Sequence, residues 1–329
     1  MKHALITGGA GFIGSHLAEA LLARDYHVTV LDDESTGSPE NLAPVRGHFQ
    51  FSYVRGSAAD KSLVRRLVAD VDEVYHLAAA VGLELIASAP IHTIETNLYP
   101  TELLLAEMLR RRKAGHIAKL FLASSSEVYG KNPKDVWHEE DDLVFGPTSR
   151  QRWSSGAAKA IDEFLGLAYY RQHRLPLVIG RLFNVAGPRQ SGRYGMVLPR
   201  LVEAALTGRP LIVHGDGNQV RCFIHVADAV RAMRDLMASE AAVAGVFNIG
   251  GDQPLTLMEL AKLVLTAAKS ASTIELRPYP QAFDEQFEDV RRRVPDLTRL
   301  RAAIDFRPEY DLDATLRETI NYHRVMLRK

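Results

Sequence analysis

Three groups of residues in this chain have the types and spacing that ligand binding or catalysis requires. The first is a glycine-rich run, Gly8–Gly14, directly after a stretch of aliphatic residues. The second, Ser125–Glu127, brings two hydroxyls and a carboxylate together, and the third places Ser155 four residues before Lys159. Because residues four apart share one face of a helix, we expect the last two side chains to be neighbours.

The glycine run has the spacing of a pyrophosphate-binding turn. Gly8, Gly11 and Gly14 stand three residues apart between a predicted strand and a predicted helix. Such glycines allow a tight turn, a close approach of the phosphates and close helix-to-strand packing. About twenty residues further on, a second strand ends at Asp32, whose carboxylate could bind the adenosine ribose hydroxyls, and Asp33 beside it would repel a 2'-phosphate. An ordinary strand-to-helix turn explains neither feature, so the sequence predicts a site for NAD rather than NADP.

The elements that must position these residues alternate between strand and helix. Short aliphatic or β-branched runs predict strands at Lys2–Thr7, His27–Asp32, Phe49–Arg55, Glu73–Leu77, Lys119–Ser124 and Leu177–Arg181. Amphipathic stretches between them predict helices near Phe12–Arg24, Lys61–Ala69, Thr93–Arg112 and Ser155–His173. This pattern predicts an α/β fold, a doubly wound parallel sheet of the Rossmann type with ligands at the carboxyl ends of its strands.

The alternation of predicted strands and helices ends after residue 181. Loops rich in Gly, Pro and Arg, at 187–194, 213–221 and 278–295, separate helices predicted at Val197–Thr207 and Val226–Ala238. We expect a smaller C-terminal substrate-binding cap there. A strand near Val246–Ile249 and a helix at Leu257–Ala268 could return to the main sheet. The predicted division is therefore an NAD-binding domain at 1–180, rejoined by about 225–268, and a cap at 181–224 and 269–329.

Composition narrows the range of partners and compartments. Lysine plus arginine equal aspartate plus glutamate at 40 each, so no overall basic field is present to hold nucleic acid or an anionic membrane. Cys222 is the single cysteine, which suits a reducing compartment, and we expect a cytoplasmic protein. The apolar stretch 4–22 is interrupted by glycines and charges, so neither a signal peptide nor a membrane span is predicted there.

Four motifs in order resemble the extended short-chain dehydrogenase/reductase family. They are the glycine turn, the strand end Val74–Ala79, the run Ser124–Gly130, and Arg181–Asn184. The resemblance covers nearly the whole chain, and the nucleotide-sugar epimerases, dehydratases and decarboxylases are its most similar branch. It implies NAD bound by the following residues: Gly8, Gly11, Phe12, Ile13, Gly14, Asp32, Asp33, Leu77, Ala78, Ala79, Asn97 and Lys159.

The family's catalytic base is a tyrosine four residues before a lysine that lowers its pKa. The lysine is Lys159, but Ser155 occupies the tyrosine position, and Trp153 lies on another helix face and has no acidic proton. A serine hydroxyl is shorter and much less acidic than a phenol. We therefore expect a chain that binds its ligands and turns them over poorly, whether Ser155 was introduced or belongs to a naturally divergent member with another base.

The resemblance assigns the remaining catalytic candidates. Ser125 matches the hydroxyl that positions the sugar 4-oxygen for hydride transfer. Ser126 and Glu127 replace the aspartate-glutamate pair of dehydratases and match UDP-glucuronate decarboxylases. Such an enzyme oxidises C4 with NAD, releases the C5 carboxylate as CO₂ and returns hydride to C4. The alternatives are a UDP-hexose or UDP-uronate 4-epimerase and a non-catalytic protein that binds NAD and a nucleotide sugar.

Cations in the predicted cap would hold the diphosphate of a UDP-sugar. The predicted substrate-binding residues are Asn184, Arg193, Tyr194, Arg200, Arg221 and Arg293; Arg221 is also a catalytic candidate. The run 291–293 is alternatively a solvated charge cluster. His76, His214 and His225 have no partners at ligand spacing, so no metal site is predicted. In relatives, the helices matching 93–112 and 155–173 pair across a two-fold axis, which implies a homodimer, with core packing as the alternative.

Overall fold

A seven-stranded parallel sheet forms the centre of the protein. The computed structural model describes residues 1–80, 89–113, 115, 117–193, 195–279 and 289–328. The strands of the main sheet are β1 (His3–Thr7), β2 (His27–Asp32), β3 (Phe51–Arg55), β4 (Glu73–His76), β5 (Lys119–Ser125), β6 (Leu177–Leu182) and β11 (Val246–Ile249). The predicted strands, including the one near 246–249, are therefore confirmed with bounds that differ by at most two residues.

The strand order is β11-β6-β5-β4-β1-β2-β3, and every pairing is parallel. The chain runs outward in one direction from β1 through β2 to β3 and in the other from β4 through β5 to β6. The order therefore reverses between β1 and β4, and ligands of doubly wound sheets bind in the crevice at that point. The predicted Rossmann fold class is confirmed.

Helices cover both faces of the sheet because each carries an apolar stripe. They are α1 (Phe12–Leu22), α2 (Lys61–Leu67), α3 (Pro90–Lys113), α4 (Ser154–His173) and α6 (Val226–Ala238). Leu17 and Met233 bury one face of the sheet, and Leu104 and Met108 bury the other. Helix α3 begins three residues before its predicted start and contains Pro100.

The cap has its own core. Helices α5 (Val197–Leu206), α7 (Leu257–Ala268) and α9 (Leu312–Met326) enclose a third apolar cluster. Its short strands form three small sheets, β10-β7, β12-β9-β14 and β13-β8, with these bounds: β7 (Val185–Ala186), β8 (Leu211–His214), β9 (Val220–Arg221), β10 (Ile224–His225), β12 (Leu255–Thr256), β13 (Ile274–Arg277) and β14 (Arg292–Arg293).

Two segments pack differently from the expected division of the chain. Helix α7 was grouped with the main sheet but packs against α5, α9 and β8, because Leu260 and Val264 face the cap core. Conversely, α8 (Thr298–Ile304) lies in the expected cap region yet contacts α6 and β11 through Leu300. Strands β8, β9 and β14 lie wholly or partly in stretches that we expected to be loops.

No helix in the described ranges is both long and apolar enough to cross a bilayer.

Candidate active site

The glycine turn lies between the carboxyl end of β1 and the start of α1. Gly8 has φ +72°, and a Cβ there would lie 2.8 Å from the backbone nitrogen of Ala78. A Cβ on Gly14 would lie 2.4 Å from the carbonyl oxygen of Gly8. Neither position therefore accepts a side chain without moving backbone, which explains why the turn and the helix-to-strand contact require glycine.

Gly11 is the N-terminal cap of α1, and its surroundings are different. A Cβ at this position would meet a single described atom within 4 Å, the carbonyl oxygen of Gly8 at 3.1 Å. The protein thus leaves space beside the first turn of the helix, where Phe12 and Ile13 follow. Free amides at a helix N-terminus attract phosphate, so the cradle fits the pyrophosphate of a dinucleotide.

Asp32 fixes the loop beside this turn. Its Oδ2 accepts a hydrogen bond from the Ala10 amide at 2.9 Å, and its Oδ1 accepts one from the Glu34 amide at 2.8 Å. Burial raises the pKa of Asp32, and these amide donors oppose the shift. Asp33 is exposed and accepts from the amide and hydroxyl of Ser35. The predicted ribose contact of Asp32 stays a prediction.

The segment Leu77–Ala80, after β4, passes directly over Gly8. The buried Asn97 holds it: its Oδ1 accepts from the Ala80 amide at 2.8 Å and its Nδ2 donates to the Ala80 carbonyl at 3.1 Å. The Leu77 amide donates to the Thr7 carbonyl at the end of β1. Asn97 therefore acts on the predicted cofactor site by positioning this backbone, and Ala78 and Ala79 lie within the segment it holds.

Ser125 ends β5 at the same edge of the sheet. Its hydroxyl accepts from the Glu127 amide at 3.2 Å and caps a short 3-10 turn, Ser126–Tyr129. Ser126 is buried in that turn. Tyr129 does not replace the missing tyrosine, because its hydroxyl donates to Asn248 and burial raises its pKa to about 12.

Glu127 lies between two guanidinium groups, those of Arg152 and Arg293. Burial alone would raise the pKa of Glu127, but the attraction of both cations and their hydrogen bonds hold it well below its usual range. Arg152 is 6% exposed and comes from the 3-10 turn Gln151–Trp153, just before α4. The carboxylate is thus held ionised by residues from distant parts of the chain.

The first three turns of α4 present three buried polar side chains on one face: Ser155, Lys159 and Asp162. Lys159 Nζ donates to Asp162 Oδ2 at 3.2 Å. His76, at the end of β4, is hydrogen-bonded to the hydroxyls of Thr7 and Thr101. Burial and the nearby charge of Lys159 lower the pKa of His76 to about 3, so this imidazole is neutral.

A second arginine cluster lies in the cap. Strand β9 pairs with β14, which places Arg221 directly opposite Arg293. The Nη2 of Arg221 donates to the carboxylate of Asp289 at 3.2 and 3.3 Å. Burial, and then the charge of Arg293, lower the pKa of Arg221 to about 10. Arg291 instead pairs with Asp216 at the surface. The run 291–293 therefore contains a solvated residue, Arg291, and a residue of the site, Arg293.

Further cap residues extend this network away from the catalytic serines. Tyr279 donates to Asp289, and Gln219 donates to Tyr279. Arg200 Nη2 lies 3.2 Å from His214 Nε2, and the His214 ring stacks on Tyr279. Polar contacts and ring stacking therefore connect Arg200 to Arg221 through His214, Tyr279 and Asp289.

The other predicted substrate residues are less directly placed. Asn184, with φ +36°, donates to the Cys222 carbonyl and so holds the turn between β9 and β10. Arg193 is exposed, and Tyr194 lies outside the described residues. His225 caps α6 by accepting from the Ala227 amide, as expected for a structural histidine. Within the described ranges, no group of His, Cys, Asp or Glu side chains is arranged to hold a metal ion.

Sequence reasoning missed three members of the site: Arg152, Asp162 and Asp289. Arg152 stands three residues before Ser155, so its position beside the catalytic helix was the available signal. Asp162 lies three residues after Lys159, a spacing that places it on the same helix face. The pairing of Asp289 with Arg221 spans 68 residues and has no local signal.

The sheet order, the glycine cradle and the serine and lysine at the carboxyl edge define a protein of the short-chain dehydrogenase/reductase class. A model of the GDP-mannose 4,6 dehydratase family matches residues 5–319, and the chain belongs to that family.

Known proteins similar to this chain include two decarboxylases. The chain is 39% identical to UDP-N-acetyl-alpha-D-glucosaminuronate decarboxylase from Bacillus cytotoxicus, over 98% of both chains. It is 33% identical to UDP-glucuronic acid decarboxylase 1 from Danio rerio, over 98% of this chain and 72% of that protein. Among solved structures, UDP-glucuronic acid 4-epimerase from Bacillus cereus, in complex with UDP-glucuronic acid and NAD, is 25% identical. Its TM-score is 0.87, with 98% of this chain and 99% of that chain covered.

Proposed function

We propose that this protein binds NAD and a UDP-hexuronate and is built as a decarboxylase of the UDP-glucuronate type, slowed by Ser155. The observation that carries the proposal is the cluster of Arg152 and Arg293 around Glu127, next to Ser125. The similarity to two uronate decarboxylases supports the same reaction.

The fit of NAD rests on the glycine cradle. Gly11 leaves room for a pyrophosphate beside α1, Asp32 and Asp33 lie at the end of β2 where the adenosine ribose would bind, and Lys159 would hold the nicotinamide ribose. When bound, NAD would accept a hydride from the sugar C4 and later return it. The chain's own residues must orient the sugar and handle its protons and its carboxylate.

The carboxylate of a hexuronate matches the unsatisfied donors of the arginine cluster. In the part of the chain that the structure describes, the Nε and Nη2 atoms of Arg152 and the Nε of Arg293 are buried without a hydrogen-bond partner. Buried guanidinium donors cost free energy unless an acceptor meets them. A substrate carboxylate is a suitable acceptor, because forked N–H donors bind carboxylates with two hydrogen bonds.

This cluster also favours decarboxylation over elimination of water. Elimination needs an acid that protonates the leaving hydroxyl, and Ser126, which stands where dehydratases have an aspartate, has no acidic proton to give, while the two arginines hold Glu127 ionised. In decarboxylation the C5–C6 bond breaks, CO₂ leaves, the electron pair moves into the 4-keto group, and C5 then takes a proton from solvent water. Ser125 would position the 4-oxygen, and Ser126 and Glu127 would line the side of C5 and C6. Arg221 would contact either the sugar or the diphosphate, and Asn184, Arg193, Tyr194 and Arg200 would complete the nucleotide side of the pocket.

Ser155 favours a second candidate, a binding protein without turnover. Loss of a positioned general base typically slows an enzyme by roughly 10²- to 10⁴-fold. Ser155 is buried at the start of α4, so its position is fixed. Its hydroxyl therefore extends less far into the site than the hydroxyl of a tyrosine at the same position would. The protein as it stands is therefore expected to bind its ligands more readily than it converts them.

We also propose that the protein is a homodimer formed through α3 and α4, and that it works in a reducing compartment such as the cytoplasm, in keeping with the free thiol of Cys222. Exposed apolar side chains on these two helices, such as Ile91 and Phe164, support the dimer.

Native mass spectrometry with UDP-glucuronate, UDP-glucose and UDP-N-acetylglucosamine tests the binding step, and product analysis after Ser155→Tyr tests the chemistry. We expect retained NAD, selective UDP-glucuronate binding, and CO₂ release by the variant. Formation of UDP-galacturonate without CO₂ would establish the 4-epimerase instead. Selective binding with no product, either from this variant or after Asp162→Asn is added to it, would establish the binding protein.

A further inference from the structure

Asp162 is a buried carboxylate that the proposed mechanism does not use. It lies on α4 three residues after Lys159 and seven after Ser155, so the three side chains share one helix face. Their exposed fractions are 8% for Ser155, 5% for Lys159 and 1% for Asp162. The carboxylate therefore faces the same enclosed space as the lysine of the proposed catalytic pair.

We propose that Asp162 is a positioning residue that supplies the counter-charge of Lys159, so that a tyrosine restored at position 155 would remain a poor base until Asp162 is also replaced. This inference rests on the proposed function only in identifying Lys159 as the catalytic lysine.

The charges around Asp162 support this assignment. Glu163, the next residue, is paired with Arg181 of β6 and is also bonded to Ser124 of β5. His76 of β4 is neutral. Burial raises the pKa of Asp162, and the charge of Lys159, its hydrogen bond and that of the Thr101 hydroxyl of α3 oppose this shift. Asp162 is thus the carboxylate that meets the ammonium of Lys159, with 3.2 Å between the two atoms.

The consequence for a phenol follows from the sign of the charges. A lysine ammonium lowers the pKa of a neighbouring phenol because it stabilises the phenolate. A carboxylate beside that ammonium partly offsets its effect on the phenol.

The experiment compares Ser155→Tyr alone with Ser155→Tyr combined with Asp162→Asn. Ultraviolet difference spectroscopy against the parent chain follows ionisation of the introduced phenol in the NAD-loaded protein and in the NAD-free protein. We expect the pKa of the phenol to be at least about one unit lower in the double variant. The matched control combines Ser155→Tyr with Glu102→Gln, which removes an exposed carboxylate from α3 and should leave that pKa unchanged.

Equal phenol pKa values with and without Asp162→Asn would overturn the inference, as would an equal shift in the control. If Asp162→Asn fails to fold, as shown by circular dichroism, Asp162→Ser serves in its place under the same criteria. With UDP-glucuronate, we expect kcat of the double variant to exceed that of Ser155→Tyr by about tenfold, with little change in KM. A lowered phenol pKa without CO₂ release would contradict the proposed decarboxylase and leave the role of Asp162 intact.

Discussion

Glu127 shows how strongly the environment of one residue can limit its chemistry. Its carboxylate pKa lies below the ordinary value of 4.5 because Arg152 and Arg293 outweigh the effect of burial. A carboxyl group whose pKa is depressed in the folded state stabilises the fold above its unfolded pKa, and this contribution is lost as the pH falls through the folded value. Glu127 is therefore a fixed anion at neutral pH.

We expect Glu127→Gln to lower the free energy of unfolding by about 3 kcal/mol at pH 7, because the buried Arg152 and the largely buried Arg293 lose their charge partner. The loss should shrink as the pH falls below about 4.5, where the carboxylate of the unfolded parent chain becomes protonated. Urea unfolding of both chains between pH 3 and pH 7 measures the difference. Stability curves that stay parallel over this range would contradict the assigned ion pairs.

The donors of Arg152 give a prediction about ligand selectivity. Arg152→Lys keeps the charge but removes the forked donors, so binding of UDP-glucuronate should weaken by roughly tenfold while binding of UDP-glucose changes little. Isothermal titration calorimetry with the two ligands measures this difference. Arg307→Lys, at an exposed position, is the control. An equal loss for both ligands would show that Arg152 does not recognise the carboxylate.

At the residue level, the sequence predicts those site residues whose positions depend only on spacing along a short part of the chain. Gly8, Gly14 and Asp32 could be predicted because they lie close together in the sequence, in one turn and at the end of the next strand. The partnership of Glu127 with Arg293 joins residues 166 positions apart and depends on how β14 pairs with β9. No periodicity encodes such a contact, which is why the cluster was not foreseen.

At the level of elements, the strand β1, its turn and α1 form a unit in which two glycines have different tasks. A Cβ on Gly14 would press on the backbone of Gly8 and Gly9, at 2.4 and 2.6 Å. A Cβ on Gly11 would meet one carbonyl oxygen at 3.1 Å and otherwise enter the space proposed for the pyrophosphate. Gly14 is thus needed for packing, and Gly11 is needed for the space proposed for the ligand.

We therefore expect Gly14→Ala to lower the free energy of unfolding by about 1 to 3 kcal/mol, as overpacked interiors do. Gly11→Ala should unfold at nearly the parent temperature in the absence of NAD but lose most of the stabilisation that added NAD gives the parent chain. Thermal unfolding with and without NAD separates the two effects. Full stabilisation of Gly11→Ala by NAD would place the pyrophosphate elsewhere.

Element predictions succeeded where a long periodic pattern exists and failed where pairing alone creates the element. Helix α6 and strand β2 have the predicted bounds, because each is bounded by polar or turn residues. Strands β9 and β14 have two residues each and exist only because the chain returns to pair them. The packing of α7 could not be predicted either, since its apolar stripe fits a sheet or a helical cap equally well.

At the scale of the whole molecule, the two sides of the helix pair α3 and α4 differ. Leu103 and Leu104 are buried in the core, and Glu107 beside them pairs with Arg65 and Arg110. The outward side instead carries apolar groups exposed by 37 to 72%: Ile91, Ile94, Tyr99, Ile161 and Phe164. Core packing thus explains one side of these helices and leaves the other available to a second copy.

Phe164, which is 68% exposed, is the residue whose replacement tests the dimer. A glutamate in the centre of an apolar interface would be buried without a partner, so we expect Phe164→Glu to convert a dimer into a monomer at micromolar concentration. Size-exclusion chromatography with light scattering measures the mass. Phe49→Glu replaces a phenylalanine that is 87% exposed elsewhere on the surface and should leave the dimer intact. A parent chain that is already monomeric, or a Phe164→Glu variant that stays dimeric, would rule out this face as the interface.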